Sequence, residues 1–499
     1  RRRPRVNVPR STPFRALIGA GALALGGCLV GPDYAPPATE EVASTGFGQS
    51  PGADANPGQP AALWWRRFND DELSTLVTLA LAENRDLRTA VANLNGSRAL
   101  LGLERLELFP RAQVDGAFTR SRPSAAGLGA ALPFLEEGLE AFDDQSLIDL
   151  GLSASWEADF FGRVRRSIEA ARADLQEAAF LYQNAAVLVA SDVALAYVDL
   201  RGAQLQLAVA AQNAENQLAT LDLTERLQEG GRATALDVAR AQAQYETTLA
   251  SVPPLEAAAA TAVHRLAVLT GRAPATLRDM TATPSTLPVP LAEILIGDPK
   301  GLLQRRPDIR AAERALAAET ARIGVATADF FPQVSFSGAF GISSATLTNF
   351  GTIPSIDFNF GPQITWAGFD LPRVRARIRA ADAQAEAALA VYEQTVLLAL
   401  EQTENAFVAY NRESERLDRL ERVVEASAEA ARLAQLRYEN GVDDFLDVLD
   451  AQRTLLEAET LLADSQTARL RNLVAIYRAL GGGWEAIAAR PEAGDLPAS

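Results

Sequence analysis

Few residues in this chain could do chemistry by type and spacing, and the first of them is its single cysteine, Cys28. An arginine-rich start and the apolar run from Ala16 to Gly27 precede it. That run is too short to cross a bilayer and reads as the core of an export signal. Leu25-Gly26-Gly27-Cys28 then has the form of a bacterial lipobox. The chemistry would be covalent: diacylglycerol on the thiol and an N-acyl chain on the new N-terminus. Leu29, rather than an aspartate, follows the cysteine, which in lipoproteins implies sorting to the outer membrane. One cysteine also excludes an internal disulfide and a cysteine-based metal cluster.

The second candidate is acidic. Asp443, Asp444, Asp447 and Asp450 precede Arg453, and Leu446, Asp450 and Arg453 are spaced i, i+4, i+7 on one helix face. Acids in a helix's first turn are favoured by its dipole, typically ~0.3–1 kcal/mol each. The dipole accounts for Asp443 and Asp444 as well as a functional role does, but it explains the deeper Asp450 less well. Repeated around a symmetry axis, Asp450 would make a carboxylate ring sensitive to pH and cations, with Arg453 as a polar tie within or between copies.

Catalytic patterns are missing. The one histidine, His264, lies in the helical run Ala262-Val263-His264-Arg265-Leu266, a packing or surface position. There is no phosphate-binding glycine loop, no HExxH and no Ser/His/Asp arrangement. Gly481-Gly482-Gly483 reads as a helix terminator. The expectation is a protein that is not an enzyme and needs no cofactor or metal.

What would position these residues is a structure written twice. The segment beginning Trp156-Glu157 recurs at Trp366-Ala367, a shift of 366 − 156 = 210, and the same shift carries Gly231 and Asp237 onto Gly441 and Asp447. Upstream, Asp86-Leu87-Arg88 and Phe109-Pro110 match Asp308-Ile309-Arg310 and Phe331-Pro332 at a shift of 222. The first copy therefore holds 12 extra residues between its Phe-Pro and its tryptophan, as a loop would. A period this long marks duplication of a whole unit rather than a solenoid.

Each copy changes period from 3.6 to 2 and back. Ile148, Leu150, Leu152, Ala154 and Trp156 alternate with polar residues, as do Ile356, Phe358, Phe360, Ile364 and Trp366. Runs near 112–120, 147–157, 333–342 and 355–366 thus predict four strands with one lipid-facing side and one polar side. Four strands cannot close a barrel, and open edges in lipid leave backbone groups unsatisfied. Three copies, giving twelve strands, would close one. Between and after the strands, unbroken amphipathic patterns predict helices of some 65 residues, roughly 100 Å at 1.5 Å per residue. Each turns at glycine (Gly230-Gly231 and Asn440-Gly441) and returns, the first return being interrupted near Pro253-Pro254. In the first hairpin Leu236, Arg240 and Ala243 stand where the second has Leu446, Asp450 and Arg453.

Charge agrees with an exported, non-nucleic-acid protein. Of 47 basic residues six lie in 1–27, so the rest of the chain carries 41 against 63 acids, a net of −22. A chain this acidic is not expected to bind nucleic acid or an anionic membrane surface through its net charge.

The motifs resemble one family closely. Cys28-Leu-Val-Gly-Pro-Asp-Tyr34, Trp64-Trp65, Asn84-x-Asp-Leu87, Trp156-Glu-x-Asp-Phe-Phe-Gly-Arg163, Arg306-Pro-Asp-Ile309, Phe330-Phe-Pro332 and Leu449-Asp-Ala-Gln-Arg453 are similar to the NodT/OprM-type outer-membrane efflux lipoproteins of the TolC superfamily. The resemblance runs from about Leu25 to Trp484. It implies an α+β membrane protein: a homotrimer whose shared 12-stranded β-barrel continues into a long periplasmic α-helical barrel. It implies a passive gated duct through the outer membrane of a Gram-negative bacterium. Its partners would be a periplasmic adaptor and an inner-membrane resistance-nodulation-division transporter. It also places Leu446 and Asp450 at the periplasmic constriction, with Asp443, Asp444 and Asp447 as nearby acids.

The domain plan expected is a signal peptide (1–27), a lipidated tether (28–62), a first repeat (63–271), an equatorial linker (272–304), a second repeat (305–484) and a tail (485–499). A type I protein-secretion channel and a non-conducting structural trimer are the other readings of such a tube. Cargo is not encoded in these patterns.

Overall fold

The computed structural model describes residues 29–37, 47–48, 50, 55–56, 58, 61–122, 144–282, 286–291 and 293–488. Cys28 and the signal segment lie outside the described residues, as does most of the first loop. In chain order come β1 (Ala55–Asn56), α1 (Asp71–Glu83), α2 (Arg85–Leu106), β2 (Arg111–Ser121) and β3 (Gln145–Ala158). The first hairpin follows as α3 (Arg163–Glu229), α4 (Ala235–Ala250) and α5 (Val252–Leu269). Next come β4 (Ile294–Leu295), α6 (Pro299–Arg305), α7 (Pro307–Ala328), β5 (Gln333–Ser344) and β6 (Ile356–Thr365), and then the second hairpin, α8 (Leu371–Glu439) and α9 (Phe445–Ala479). By contact, the chain divides into two compact units, one built from 1–35, 96–175 and 315–389 and the other from the remainder.

The first unit holds an antiparallel sheet in the order β2-β3-β5-β6. Its register sorts side chains by face. Val114, Leu152, Phe340 and Phe358 form one row across all four strands, and Trp156 and Phe336 stand opposite each other in another. The next row on the other face is Gln113, Ser153, Ala339 and Asn359. One face is therefore apolar and uncovered: Val114, Phe358 and Phe360 are 69%, 69% and 82% exposed. Period 2 in the sequence becomes two chemically distinct surfaces.

The repeat is also written in hydrogen bonds. Trp156 Nε1 donates to the Leu108 carbonyl at 2.9 Å, and Trp366 Nε1 donates to the Phe330 carbonyl at 2.9 Å. Those four residues are related by the same shifts of 210 and 222 found in the sequence. Phe161 stacks on Phe331 with ring centroids 4.5 Å apart. Next to this pair, buried Arg166 donates to the Val30 and Gly31 carbonyls and to Asp33, fixing the segment that follows Cys28.

The second unit contains the main core: Trp64, Trp65, Phe68, Leu73, Tyr197, Leu266, Phe407 and Tyr477 are all buried together. Trp64 stacks on Tyr477 at 5.1 Å, its Nε1 donating to the Gly482 carbonyl. Asn84 Nδ2 donates to Leu269 O at 2.8 Å while its Oδ1 caps α2 through Asp86 N and Leu87 N. In the second copy Arg306 Nη1 donates to Ala479 O at 2.8 Å. The pairs 84/306 and 269/479 again differ by 222 and 210, so each return helix is tied at its C-terminal carbonyl by an equivalent residue.

The first return helix breaks immediately ahead of its proline pair. The break is at Ser251, and Pro253 and Pro254 sit in the first turn of α5, where a missing N–H costs nothing. Its counterpart, α9, runs through unbroken. One stretch of α3 is long and apolar enough to pass a composition test for a bilayer span, and half of it is buried inside the chain's own fold.

Candidate functional site

The acidic cluster stands at the tip of the second hairpin, and local chemistry explains the turn. Gly441 at φ 72° lets Val442 N reach back to Arg437 O at 2.9 Å, closing α8. Gly231 at φ 73° does the same for α3, with Arg232 N on Leu227 O at 2.7 Å. Asp444 is then the N-cap of α9, its Oδ1 accepting from Leu446 N at 2.9 Å. The equivalent first-hairpin cap is Thr234, in a capping box with Asp237.

Beneath the tip, Phe445 and Val448 pack with Ala241 and Tyr438 in a small core. That packing fixes the rotation of α9. With Phe445 2% and Val448 0% exposed, Leu446 on the opposite side is 51% exposed, and Asp450 and Arg453 are exposed with it. Among the described residues, neither the Asp450 carboxylate nor the Arg453 guanidinium has a hydrogen-bond or ion-pair partner within the chain. Both line a cleft of about 720 Å³ between α4 and α9, together with Arg240, Gln244, Thr454 and Glu457. Arg240 makes only a long 3.9 Å contact to Asp237 there.

Two of the three neighbouring acids are engaged locally. Arg437 grips Asp443 with both guanidinium arms, and this hydrogen bonding holds the Asp443 carboxyl below the usual carboxylate range. Asp444 caps, while Asp447 is exposed in the first turn. Burial, opposed by a Thr224 hydrogen bond, raises the Tyr438 phenol above its ordinary value. Sequence patterns did not single out the Arg437–Asp443 clamp, although the six-residue spacing across a glycine turn carries it. Among the described residues no group of three or more His, Cys, Asp or Glu is placed to hold a metal ion.

Comparison with known proteins decides the family. The family model for outer membrane efflux protein matches residues 76–272 and 299–482. The chain belongs to the outer membrane efflux protein family. A relative named nodulation protein T, from Rhizobium leguminosarum bv. trifolii, is 31% identical over 96% of this chain and 98% of its own length. Outer membrane protein OprJ of Pseudomonas aeruginosa is 33% identical over 93% of this chain and 95% of its own length. A toluene efflux pump outer membrane protein of Pseudomonas putida, TtgC, is 32% identical over 94% and 95%. Among solved structures, the outer-membrane channel OprN superposes with a TM-score of 0.82 at 42% identity, covering 92% of this chain and all of that one. The fold is thus TolC-like and mostly helical, and the protein is an efflux channel component of a Gram-negative outer membrane.

Proposed function

We propose that three copies of this chain close into one conduit, with twelve strands in the outer membrane and two helical hairpins per copy lining a periplasmic tube. The observation that carries this is the sheet itself. Among the described residues β2 and β6 each keep one unpaired edge, and one face is apolar. In lipid an open edge leaves each backbone group unsatisfied at several kcal/mol, so the edges need partners of the same kind. The polar rows through Gln113, Ser153 and Asn359 then face the lumen.

Leu446 and Asp450 are the residues proposed to narrow the periplasmic mouth. Their exposure on a single chain, with no side-chain partner for Asp450 or Arg453 among the described residues, supports a role completed by neighbouring copies. Asp443 and Asp444 hold the tip's shape, and Asp447 adds charge at the mouth. Cys28 would carry the diacylglycerol and N-acyl anchor. The conduit needs no cofactor and catalyses nothing; energy comes from a resistance-nodulation-division transporter joined through a periplasmic adaptor. The relatives' names, toluene and antibiotic efflux among them, support small toxic solutes as cargo. Native mass measurement of the detergent-solubilised lipoprotein tests the assembly. Three chains per particle are expected, and a stable single chain would refute it.

A further inference from the structure

The surface around the start of α8 carries an unassigned combination of aromatics and unpaired arginines. Trp366 is 58% exposed and Phe369 fully so, immediately after the last residue of β6. Four arginines follow within seven residues: Arg373, Arg375, Arg377 and Arg379. Two are neutralised, Arg373 by Asp370 and Arg377 by Asp329, both at 2.9 Å. Arg375 and Arg379, one turn apart on an exposed face, have no acid partner among the described residues; Arg379 Nε reaches only the Arg375 carbonyl, at 3.4 Å. Val374 and Ala381 bury the opposite face.

The first copy treats the matching positions differently. Arg165, the counterpart of Arg375, pairs with Asp159 at 3.1 Å. The counterpart of Arg379 is an acid, Glu169, which pairs with buried Arg166 at 2.8 Å. There the charges are closed internally and the segment Val30–Asp33 lies on them. In the second copy an acid has become a base, and the described chain lays no segment on it.

We propose that Trp366, Phe369, Arg375 and Arg379 form an interfacial site for the headgroup of an anionic phospholipid in the periplasmic leaflet of the outer membrane. The inference rests on the reading of the sheet as membrane-spanning, with the long helices leaving its periplasmic end. The headgroup layer on each side of a bilayer is about 5–8 Å deep. Arg375 lies about 6 Å and Arg379 about 12 Å along the helix from its first residue, and an arginine stem extends back several ångströms. Both guanidinia therefore reach phosphate depth, below aromatics that belong at the headgroup boundary. Planar guanidinium recognises phosphate through two parallel donors. The apolar row Phe358, Phe360 and Ile364 runs straight into this patch, so an acyl chain has a surface beside its headgroup.

The test is lipid binding to the intact lipoprotein. Wild type and the Arg375→Gln/Arg379→Gln variant are stripped of lipid in a neutral detergent. Both are then titrated with phosphatidylglycerol or phosphatidylcholine and weighed by native mass spectrometry. Each arginine near an anionic surface is worth about fivefold in affinity, so the double variant is expected to lose roughly thirtyfold for phosphatidylglycerol and nothing for phosphatidylcholine. Arg375→Lys/Arg379→Lys should recover part of the loss. Arg412→Gln/Arg416→Gln, a remote pair already matched with Glu415 and Glu413, should leave binding unchanged. Equal phosphatidylglycerol binding by wild type and the glutamine variant overturns the site. So does dissociation of that variant into single chains in lipid-free detergent, which would assign the arginines to contacts between copies. A chain that never partitions into micelles would instead sink the membrane-sheet reading beneath it.

Discussion

Asp443 shows how much of the candidate gate is local architecture. Its carboxyl is held low by Arg437, so the clamp is complete above the unfolded carboxylate's range and is lost as pH falls through the lowered folded value. We expect Asp443→Asn to speed amide exchange at the tip, around Asn440–Leu446, at neutral pH. In strong acid, where wild type has lost the same charge, the two proteins should exchange alike; a difference that persists there would contradict the account. A second residue-scale prediction concerns Asn84. Its amide serves the Leu269 carbonyl and two α2 N–H groups in a buried setting. Asn84→Ala should cost about 1–3 kcal/mol and lower the thermal midpoint of the solubilised protein. Asn84→Asp keeps the cap but sets a carboxylate oxygen against the Leu269 carbonyl, so it should cost at least as much. Both residues stood in motifs of the sequence, but only the fold shows that Asn84 and Arg306 do one job 222 residues apart. Such contacts leave no local period to read.

At the level of elements, what could be read was whatever repeats along the chain. Alternation in Ile148–Trp156 and Ile356–Trp366 located the strands because successive side chains stand on opposite faces of the sheet. The long helices were legible from sustained amphipathic spacing and from the glycines that end them. The break in the first return helix was less so, since Pro253-Pro254 marks a helix start as readily as an interruption. The rotation of α9 was legible only as a face. That Leu446 points away from Phe445 and Val448 follows from the small core at Tyr438, which the sequence does not display. The turns give a clean test. Gly231→Ala forces an alanine into φ 73° with open space around it, so the cost should be backbone strain alone, about 1–2 kcal/mol. Gly441→Ala meets Arg232 Nη2 at 3.0 Å as well and should cost at least as much. Hydrogen exchange at the two tips measures both, and unchanged protection in either would mean the turn does not need its left-handed residue.

For the whole molecule, the two faces of the sheet must have opposite tolerances. Phe360→Arg, halfway along β6, places a charge on the apolar face, which costs about 2–4 kcal/mol at mid-bilayer, and should leave little trimer in outer-membrane fractions. Asn359→Arg, one residue away and on the polar face, should assemble normally. If both behaved alike, the apolar face would not be the lipid face. If the chain forms a conduit whose narrowest point is set by Leu446 and Asp450, planar-bilayer conductance of the purified protein will register the change at that point. Wild type should give small, cation-selective steps and Leu446→Ala/Asp450→Ala much larger ones. Equal conductance in the two trimers would contradict that placement of the narrowest point.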